Sequence, residues 1–339
     1  MVTGGTGYVG SWVVKRLLEK GYDVRLTVRN KNKTEKFQHL EAIAAETPGT
    51  MSIWEGDLLQ EGSYDEAAAG CELVVHMASP FFLSFEDAQR DLVDPAVKGT
   101  QNVLNAATKS GTVRKVVLTS SVAAIHGDNV DMKEKGVEQF DESFFNTSSS
   151  VDHQPYSYSK VAAEKAAWEL HEAQDQWKLV VINPSFVMGP SLTDSSSSES
   201  LTFMTDMLKG KFFMGAPHLK FGFVDVRDVA EAHLLAIEND DAEGRHLLAE
   251  STLSVMELSK IIKEEFGGKY KLPIMESPKF MLYLVGGMFG LTSKFVSRNV
   301  GHDLKLDSSK SKEKLGLRYR SMNETVRDMV TQMHKLELV

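Results

Sequence analysis

A tyrosine and a lysine four residues apart could together transfer a proton near neutral pH. Tyr156 and Lys160 stand in a stretch whose continuation to Ala166 is typical of a helix, where residues at this spacing share one face. A free tyrosine has a pKa of about 10. A neighbouring ammonium stabilises the phenolate and lowers that pKa. Ser121, at the end of an apolar stretch, could hydrogen-bond a carbonyl oxygen, so these three residues are the candidate catalytic group.

A glycine-rich loop stands at the start of the chain. Gly4, Gly7 and Gly10 occur at three-residue spacing and are followed directly by a helical pattern and, about 20 residues on, by a strand. Glycine permits a tight turn and a close backbone approach to a pyrophosphate, which the helix N-terminus attracts. The loop therefore predicts a dinucleotide site. Its candidate cofactor-binding residues are Gly4, Thr6, Gly7, Tyr8, Val9 and Gly10.

The residue that follows the second strand distinguishes NAD from NADP. An acidic residue there would bind the ribose 2′-hydroxyl, whereas this chain has Arg29 after the strand Asp23–Val28. Arginine offers a 2′-phosphate a bidentate, charge-assisted contact. The basic residues that follow include Lys36. We interpret these basic residues as ligands of the 2′-phosphate, which predicts NADPH/NADP⁺ as the cofactor, with Arg29 and Lys36 as the phosphate ligands. The alternative is that they form a solvated basic loop.

Two further strand ends are predicted to contact the cofactor. Asp57, with Leu58, follows the strand-like residues 52–54 and could accept a hydrogen bond from the adenine amino group. The alternative for Asp57 is a helix N-cap. Met77, Ala78 and Ser79 follow an apolar strand, and a ribose lies at the carboxyl edge of a parallel sheet.

Short apolar strands alternate with helical patterns through the first half of the chain. This alternation predicts an α/β fold, a Rossmann-type doubly wound parallel sheet with a smaller C-terminal substrate domain. The predicted boundaries are 1–183 for the NADP-binding domain, with a returning segment at about 217–249. Residues 184–216 and 250–339 form the smaller domain. Serine-rich stretches at 146–150 and 191–200 are interpreted as mobile loops, and the second could be a lid.

Charge and cysteine content limit the possible partners. The 339 residues carry a net charge of −9, so a broad surface for nucleic acid or anionic membrane is not expected. Cys71 is the single cysteine, which excludes a disulfide within the chain and a cysteine-based zinc site, and we expect no metal. The apolar stretch 280–291 is shorter than the ~20 residues that span a bilayer and predicts a buried helix. The absence of a leader ahead of the glycine loop suggests the cytoplasm.

The segments TGGTGYVG, HMAS, LTSS, YSYSK and NPSFVMGP occur in this order, and together they resemble the extended short-chain dehydrogenase/reductases. The stretches GDLLQEGSYDEAAAGC and SKVAAEKAAWEL are similar to the dihydroflavonol reductase-like branch, which includes plant flavonoid and cinnamoyl reductases and microbial aldehyde and ketone reductases. The resemblance implies catalytic Ser121, Tyr156 and Lys160. It also implies that Pro184 to Val187 lies beside the nicotinamide carboxamide, with Pro184 and Val187 as contacts.

The chain departs from that branch at residues that would face a substrate. Flavonoid reductases carry an asparagine where this chain has His126, and a glutamine near Phe221–Phe223. Those polar groups contact flavonoid hydroxyls in the family, which argues against a flavonoid substrate. Other short-chain enzymes use an asparagine in a proton relay. The corresponding position of this chain lies near Pro95–Ala96, so that role is not visible here. The first strand is also short, because only Met1 and Val2 precede the loop, so it is either a truncated start or a frayed strand.

Aromatic residues are the candidate substrate contacts. Phe81, His126 and Phe186 lie on segments expected near the nicotinamide, and an apolar pocket suits a hydrophobic aldehyde or ketone. The alternative is that these residues belong to the core. The sequence thus predicts NADPH-dependent carbonyl reduction by a monomer or a homodimer. A sugar-nucleotide epimerase or dehydratase that uses NAD and a non-catalytic NADP-sensing protein are the alternatives.

Overall fold

The computed structural model describes residues 1–79, 85–193 and 198–339. Its strands alternate with helices along the first half of the chain, as expected for crossover connections. In chain order the strands are β1 (Val2–Thr3), β2 (Asp23–Val28), β3 (Thr50–Glu55), β4 (Leu73–His76), β5 (Lys115–Thr119), β6 (Lys178–Pro184), β7 (Phe186–Met188), β8 (Ala216–Pro217), β9 (Lys220–Asp225), β10 (Gly244–Leu248), β11 (Ser251–Ser254) and β12 (Glu276–Ser277).

The helices connect these strands and add a C-terminal group. In chain order they are α1 (Tyr8–Glu19), α2 (Gln38–Ala45), α3 (Asp65–Ala68), α4 (Asp94–Lys109), α5 (Asp131–Glu134), α6 (Pro155–Glu172), α7 (Glu199–Leu208), α8 (Val226–Glu238), α9 (Val255–Phe266), α10 (Lys279–Val285), α11 (Ser293–Asn299), α12 (Ser309–Lys314) and α13 (Met322–Lys335). No helix in the described parts of the chain is both long enough and apolar enough to cross a bilayer.

Seven parallel strands form the central sheet, in the order β3-β2-β1-β4-β5-β6-β10. The order reverses between β1 and β4, and ligands of such sheets bind in the crevice at this switch point. Helices α1 and α8 pack together on one face, and α4 and α6 on the other. Strands β4, β5 and β6 each contain a run of apolar residues, because both faces of the sheet are covered there. The predicted doubly wound Rossmann-type α/β fold is confirmed.

The first strand is short but is not frayed. Val2 and Thr3 pair with Leu26 and Thr27 of β2 on one side and with β4 on the other. Both residues are buried. The predicted fraying is therefore wrong, because a central strand with a partner on each side has no free edge.

Three strands and three helices surround a second core. Strand β9 pairs with β7 and β11, and the side chains of α7, α9 and α13 pack against this small sheet. A capping box of Ser254 and Glu257 begins α9. Asp225 caps α8 and forms an ion pair with Arg227. Strand β10, by contrast, extends the seven-stranded sheet.

Two predictions for irregular segments are wrong. The stretch 280–291 is not a buried helix, because Phe280 and Leu284 of α10 are 66% and 79% exposed. Its hydrophobic composition matched a core helix, but α10 packs along only part of its circumference. The stretch 146–150 is fixed rather than mobile, since Asn146 is buried and donates to the carbonyl of Ala123 at 2.7 Å. Of the second serine-rich stretch, residues 194–197 lie outside the described residues.

Candidate active site

Two of the three loop glycines are required by the packing of the chain itself. Gly4 has φ +71°, and a Cβ there would lie 2.6 Å from the backbone nitrogen of Ala78. A Cβ on Gly10 would lie 2.1 Å from the carbonyl oxygen of Gly4. The loop and the end of β4 therefore pack backbone against backbone, an approach that only glycine allows.

Gly7 is different, because its environment has room for a side chain. A Cβ there would meet only the Gly4 carbonyl oxygen, at 3.4 Å, and the residue is exposed. Gly7 is the N-cap of α1, and no side chain caps this helix. The N-terminal N–H groups and the positive end of the helix dipole thus face a crevice without a capping group. Such an end fits a dinucleotide pyrophosphate.

Two side chains at the start of α1 form hydrogen bonds to the chain that follows β7. The hydroxyl of Tyr8 donates to the carbonyl of Gly189 at 2.6 Å, and burial raises the pKa of Tyr8. The indole N–H of Trp12 donates to the carbonyl of Pro190 at 2.8 Å. Thr6 and Val9 are half-buried beside them. The Tyr8 hydroxyl is engaged within the protein, so the contact proposed for Tyr8 would come from its backbone N–H.

The two basic residues predicted to bind a 2′-phosphate lie in different settings. Arg29 is exposed directly after β2, and its positive charge acts on the buried hydroxyl of Tyr64 together with the negative charge of Asp57. Lys36 ends a short 3₁₀ helix and lines a cavity of about 490 Å³ with Gln38. Arg29 therefore lies close to Asp57 at the ends of β2 and β3, whereas Lys36 lies in a separate cavity.

Asp57 is not a helix cap. Its side chain accepts the N–H of Leu59 at 2.9 Å and so closes a turn after β3. Asn102 of α4 holds the same turn, since its amide donates to the carbonyls of Asp57, Leu58 and Gln60 at 3.2, 3.3 and 2.7 Å. Sequence reasoning missed Asn102, because only the tertiary fold brings α4 to this loop.

The end of β4 meets the glycine loop through a hydroxyl. Thr3 accepts the N–H groups of Met77 and Ala78 at 3.3 and 3.2 Å, and its oxygen is 2.7 Å from Nδ1 of His76. Burial, with the positive charge of Lys160 as a second cause, lowers the pKa of His76 to about 3. The imidazole is therefore neutral near pH 7, and Lys160 lies close to this strand end. Ser79 is the last described residue before the gap.

Tyr156 and Lys160 lie in the first two turns of α6. The ammonium nitrogen of Lys160 is 5.7 Å from the centroid of the Tyr156 ring, and Tyr156 is 40% exposed. Ser121 follows β5, and its hydroxyl oxygen accepts the N–H of Ala123 at 3.1 Å. Because that N–H occupies a lone pair of the oxygen, the hydroxyl hydrogen of Ser121 is left to donate to a bound carbonyl.

A buried carboxylate, which sequence reasoning missed, connects these elements. Glu164 lies on α6 one turn after Lys160 and is 1% exposed. Its oxygens accept from the hydroxyl of Ser120 at 2.5 Å and from the amide of Asn183 at 2.8 Å. The same amide donates to the carbonyl of Ser121 at 3.2 Å. The four-residue spacing from Lys160 was the available signal, since it predicts a common helical face.

Arg245 of β10 forms an ion pair with this carboxylate. Its Nε lies 2.5 Å from Glu164, and its Nη atoms donate to the carbonyls of Glu142 and Ala124 at 2.9 and 3.3 Å. The guanidinium stacks over Phe145 at 4.0 Å. A buried charge pair is tolerated when its remaining donors are satisfied, as here. The pair therefore fixes α6 against the strand end that carries Ser121.

The residues predicted to lie beside the nicotinamide are in β6 and β7. Pro184 ends β6, and Val187 lies in β7, where its carbonyl accepts the hydroxyl of Ser200. Phe186 lies between them and packs against Phe203 with ring centroids 5.6 Å apart. It is only half-buried. Phe186 therefore belongs to the aromatic cluster of the second core and still has free surface.

The remaining candidate substrate contacts are His126 and Phe81. The His126 ring stacks on Phe140 with centroids 5.4 Å apart, and burial lowers its pKa to about 4. Its Nδ1 is buried and has no hydrogen-bond partner among the described residues. Phe81 lies outside the described residues.

The comparisons with known proteins agree on one family, which includes reductases. The model of the NAD dependent epimerase/dehydratase family matches residues 1–248. Cinnamoyl-CoA reductase CAD2 of Medicago truncatula is 38% identical over 78% of this chain and 79% of its own. Dihydroflavonol 4-reductase of Gerbera hybrida is 34% identical over 79% and 73%.

A solved structure extends the likeness to the whole chain. Gre2 of Candida albicans, in complex with NADPH, superposes with a TM-score of 0.77 at 32% identity and covers 99% of this chain and 98% of its own. The resemblance predicted from the sequence motifs is confirmed. The chain is a member of the NAD dependent epimerase/dehydratase family and is similar to its dihydroflavonol reductase-like and Gre2-type reductases.

Proposed function

We propose that this protein reduces a hydrophobic aldehyde or ketone to the alcohol with NADPH, and that the reaction is reversible. One observation carries the proposal: the Lys160 ammonium lies 5.7 Å from the Tyr156 ring, in the helix that Glu164 fastens to the strand end of Ser121. A proton donor, a group that tunes it and a hydroxyl that orients a carbonyl are thereby joined in one rigid arrangement. The reductases among the relatives support the reaction type.

The cofactor would lie along the carboxyl edge of the sheet. The open N-terminus of α1 at Gly7 would hold the pyrophosphate, and the exposed Arg29 the 2′-phosphate. Lys160 would hold the nicotinamide ribose. When bound, NADPH supplies the hydride that the carbonyl carbon accepts.

The side chains would handle the proton and the orientation of the substrate. The Tyr156 phenol would donate its proton to the carbonyl oxygen, and the Lys160 ammonium would stabilise the resulting phenolate. The Ser121 hydroxyl would donate a hydrogen bond to the same oxygen and hold the carbonyl in place. In the reverse direction the Tyr156 phenolate would accept the proton of an alcohol.

The surroundings of the carbonyl favour an apolar substrate. The free surface of Phe186 is aromatic, and His126 is neutral above a pH of about 4. Neither offers a full charge to a substrate. The chain therefore lacks at these positions the basic groups that a sugar nucleotide would need for its diphosphate.

The test is NADPH oxidation, followed by absorbance, against a panel of hydrophobic aldehydes and ketones. Tyr156→Phe retains the ring and removes the proton donor, so kcat should fall by about 10²- to 10⁴-fold. Tyr158→Phe, on the same helix, is the matched control and should leave kcat unchanged. Tight NADPH binding with no turnover would favour the NADP-sensing alternative. Co-purified NAD with no NADPH preference would favour the epimerase or dehydratase.

A further inference from the structure

A second buried carboxylate lies next to the start of the catalytic helix. Asp128 is in the loop that follows Ser121, and none of its surface is exposed. Its two oxygens accept hydrogen bonds from four side chains: His153 at 2.9 Å, Gln154 at 2.7 Å, Asn299 at 2.7 Å and Arg298 at 2.5 Å. Two of these donors directly precede α6, and the other two belong to α11. The carboxylate is thus a junction between the start of the catalytic helix and α11.

The residue that begins the catalytic helix has an unusual backbone conformation. Gln154 has φ 55° and ψ 57°, a left-handed conformation that residues other than glycine rarely adopt. Pro155 follows it, and a residue before proline prefers an extended backbone. The carbonyl of Gln154 accepts the N–H of Tyr158 at 3.1 Å, so this conformation directs the first turn. Tyr156 is two residues on, so its position depends on Gln154.

Such a conformation persists only where the surroundings hold it. The amide of Gln154 donates to Asp128, and Nε2 of His153 lies 2.9 Å from both carboxylate oxygens. The backbone of His153 also pairs with Ser150 across a tight turn, with N–O distances of 2.8 and 3.1 Å. Asp128 therefore holds both residues that precede Pro155.

The carboxylate is ionised in this setting. Burial alone would raise the pKa of Asp128, but the hydrogen bonds from Arg298, Asn299 and His153 outweigh burial and lower it. Arg298 also pairs with Asp131 and Glu134, at 2.8 Å each. A charged acceptor binds its donors more strongly than a neutral one does. The ionised carboxylate is therefore well suited to fix Gln154.

We propose that Asp128 is a positioning residue for the reaction put forward above: it holds Gln154 in the left-handed conformation and thereby aims Tyr156 at the carbonyl. The inference rests on the proposed function. Asp128 acts through His153 and Gln154 rather than on the reacting atoms. It explains why a glutamine, rather than a glycine, stands at the start of α6.

The test combines two substitutions. Asp128→Asn removes the charge at nearly constant volume and should lower kcat by about 10- to 100-fold, because small misplacements of a catalytic group have effects of this size. The KM for NADPH should stay unchanged. Adding Gln154→Gly should restore most of kcat, since glycine adopts a positive φ without support. Glu134→Gln, which removes an exposed partner of Arg298, is the matched control and should leave kcat unchanged.

A second variant tests the same idea without removing any of the charged side chains around Asp128, whose loss could itself cause misfolding. Gln154→Ala retains Asp128, Arg298 and His153, removes the amide that Asp128 holds and should also lower kcat. Wild-type kcat in Asp128→Asn or in Gln154→Ala would overturn the inference. So would a folded double variant whose kcat stays as low as that of Asp128→Asn.

A stability measurement separates this inference from the proposed function. If the wild type reduces no carbonyl, the proposed function fails, and urea unfolding of the wild type, Asp128→Asn, Gln154→Gly and the double variant decides the role of Asp128. The destabilisation by Asp128→Asn should then be smaller in the Gln154→Gly background. Additive effects on the free energy of unfolding would show that the two residues are not coupled and would overturn the inference.

Discussion

The cofactor side and the catalytic side of the crevice are built in different ways. On the cofactor side, backbone meets backbone: Gly4 lies against Ala78, and Gly10 lies against Gly4. On the catalytic side, buried charged side chains hold the elements together: Glu164 pairs with Arg245, and Asp128 pairs with Arg298. A backbone contact needs only a small residue at a fixed spacing, whereas these two buried carboxylates pair with arginines that are distant in sequence. The cofactor side is therefore recognisable as a motif, whereas the charge pairs of the catalytic side are not.

The largest expected effect comes from a substitution that breaks the charge pair on the catalytic side. Glu164→Gln leaves the Arg245 guanidinium buried without a counter-charge and should lower the free energy of unfolding by about 3–5 kcal/mol. Glu169→Gln, at an exposed position of the same helix, is the control and should have little effect. Urea unfolding measures both. Equal stabilities of the two variants would show that the catalytic side does not depend on this pair.

The next effect tests the backbone packing on the cofactor side. Gly10→Ala places a Cβ 2.1 Å from the Gly4 carbonyl oxygen and should destabilise the fold by about 1–3 kcal/mol. Gly7→Ala has room within the protein, so it should leave the free energy of unfolding nearly unchanged but weaken NADPH binding. Thermal unfolding and NADPH titration separate the two outcomes. A Gly7→Ala variant that binds NADPH like the wild type would contradict the assignment of this helix end.

A smaller effect concerns the charge that would distinguish the cofactors. Arg29→Asp removes a charge-assisted contact and introduces repulsion, so the preference for NADPH over NADH should fall by about 10- to 100-fold. The ratio of kcat/KM for the two cofactors measures this preference. Arg25→Gln, within β2, is a control that should leave the ratio unchanged. If the preference persisted in Arg29→Asp, Lys36 would become the candidate phosphate ligand.

The smallest effect is a dependence of stability on pH, and it tests the burial of His126 on the catalytic side. His126 has a folded-state pKa of about 4, below its ordinary value of about 6.5. The unfolded chain therefore binds the proton first as pH falls, and the folded state loses stability between about 6.5 and 4. In His126→Phe, which retains the stacking on Phe140, this part of the loss should disappear. The slope of unfolding free energy against pH should fall by at most about 1.4 kcal/mol per pH unit. Identical slopes would show that His126 is not buried in solution.

Several elements were predictable from local patterns. The strand Asp23–Val28 was placed at its observed bounds, and the glycine loop was recognised from its three-residue spacing. Helix α1 begins at Tyr8, because the glycine loop leads directly into the first turn. The exposure of α10 was not predictable, since hydrophobic composition alone does not tell whether a partner covers a helix.

The sequence by itself determined the spacing of the candidate catalytic pair and of the glycine loop. Tyr156 and Lys160, and the three glycines, act at spacings shorter than ten residues, where helix and turn geometry decides which groups meet. Only the tertiary structure decided what holds them in place. Glu164 and Arg245 are 81 residues apart, and Asp128 and Arg298 are 170 residues apart. These pairs form because of the order of strands in the sheet and the position of α11 beside the start of α6. No local pattern encodes such contacts, because burial and partner choice arise from the whole packed chain.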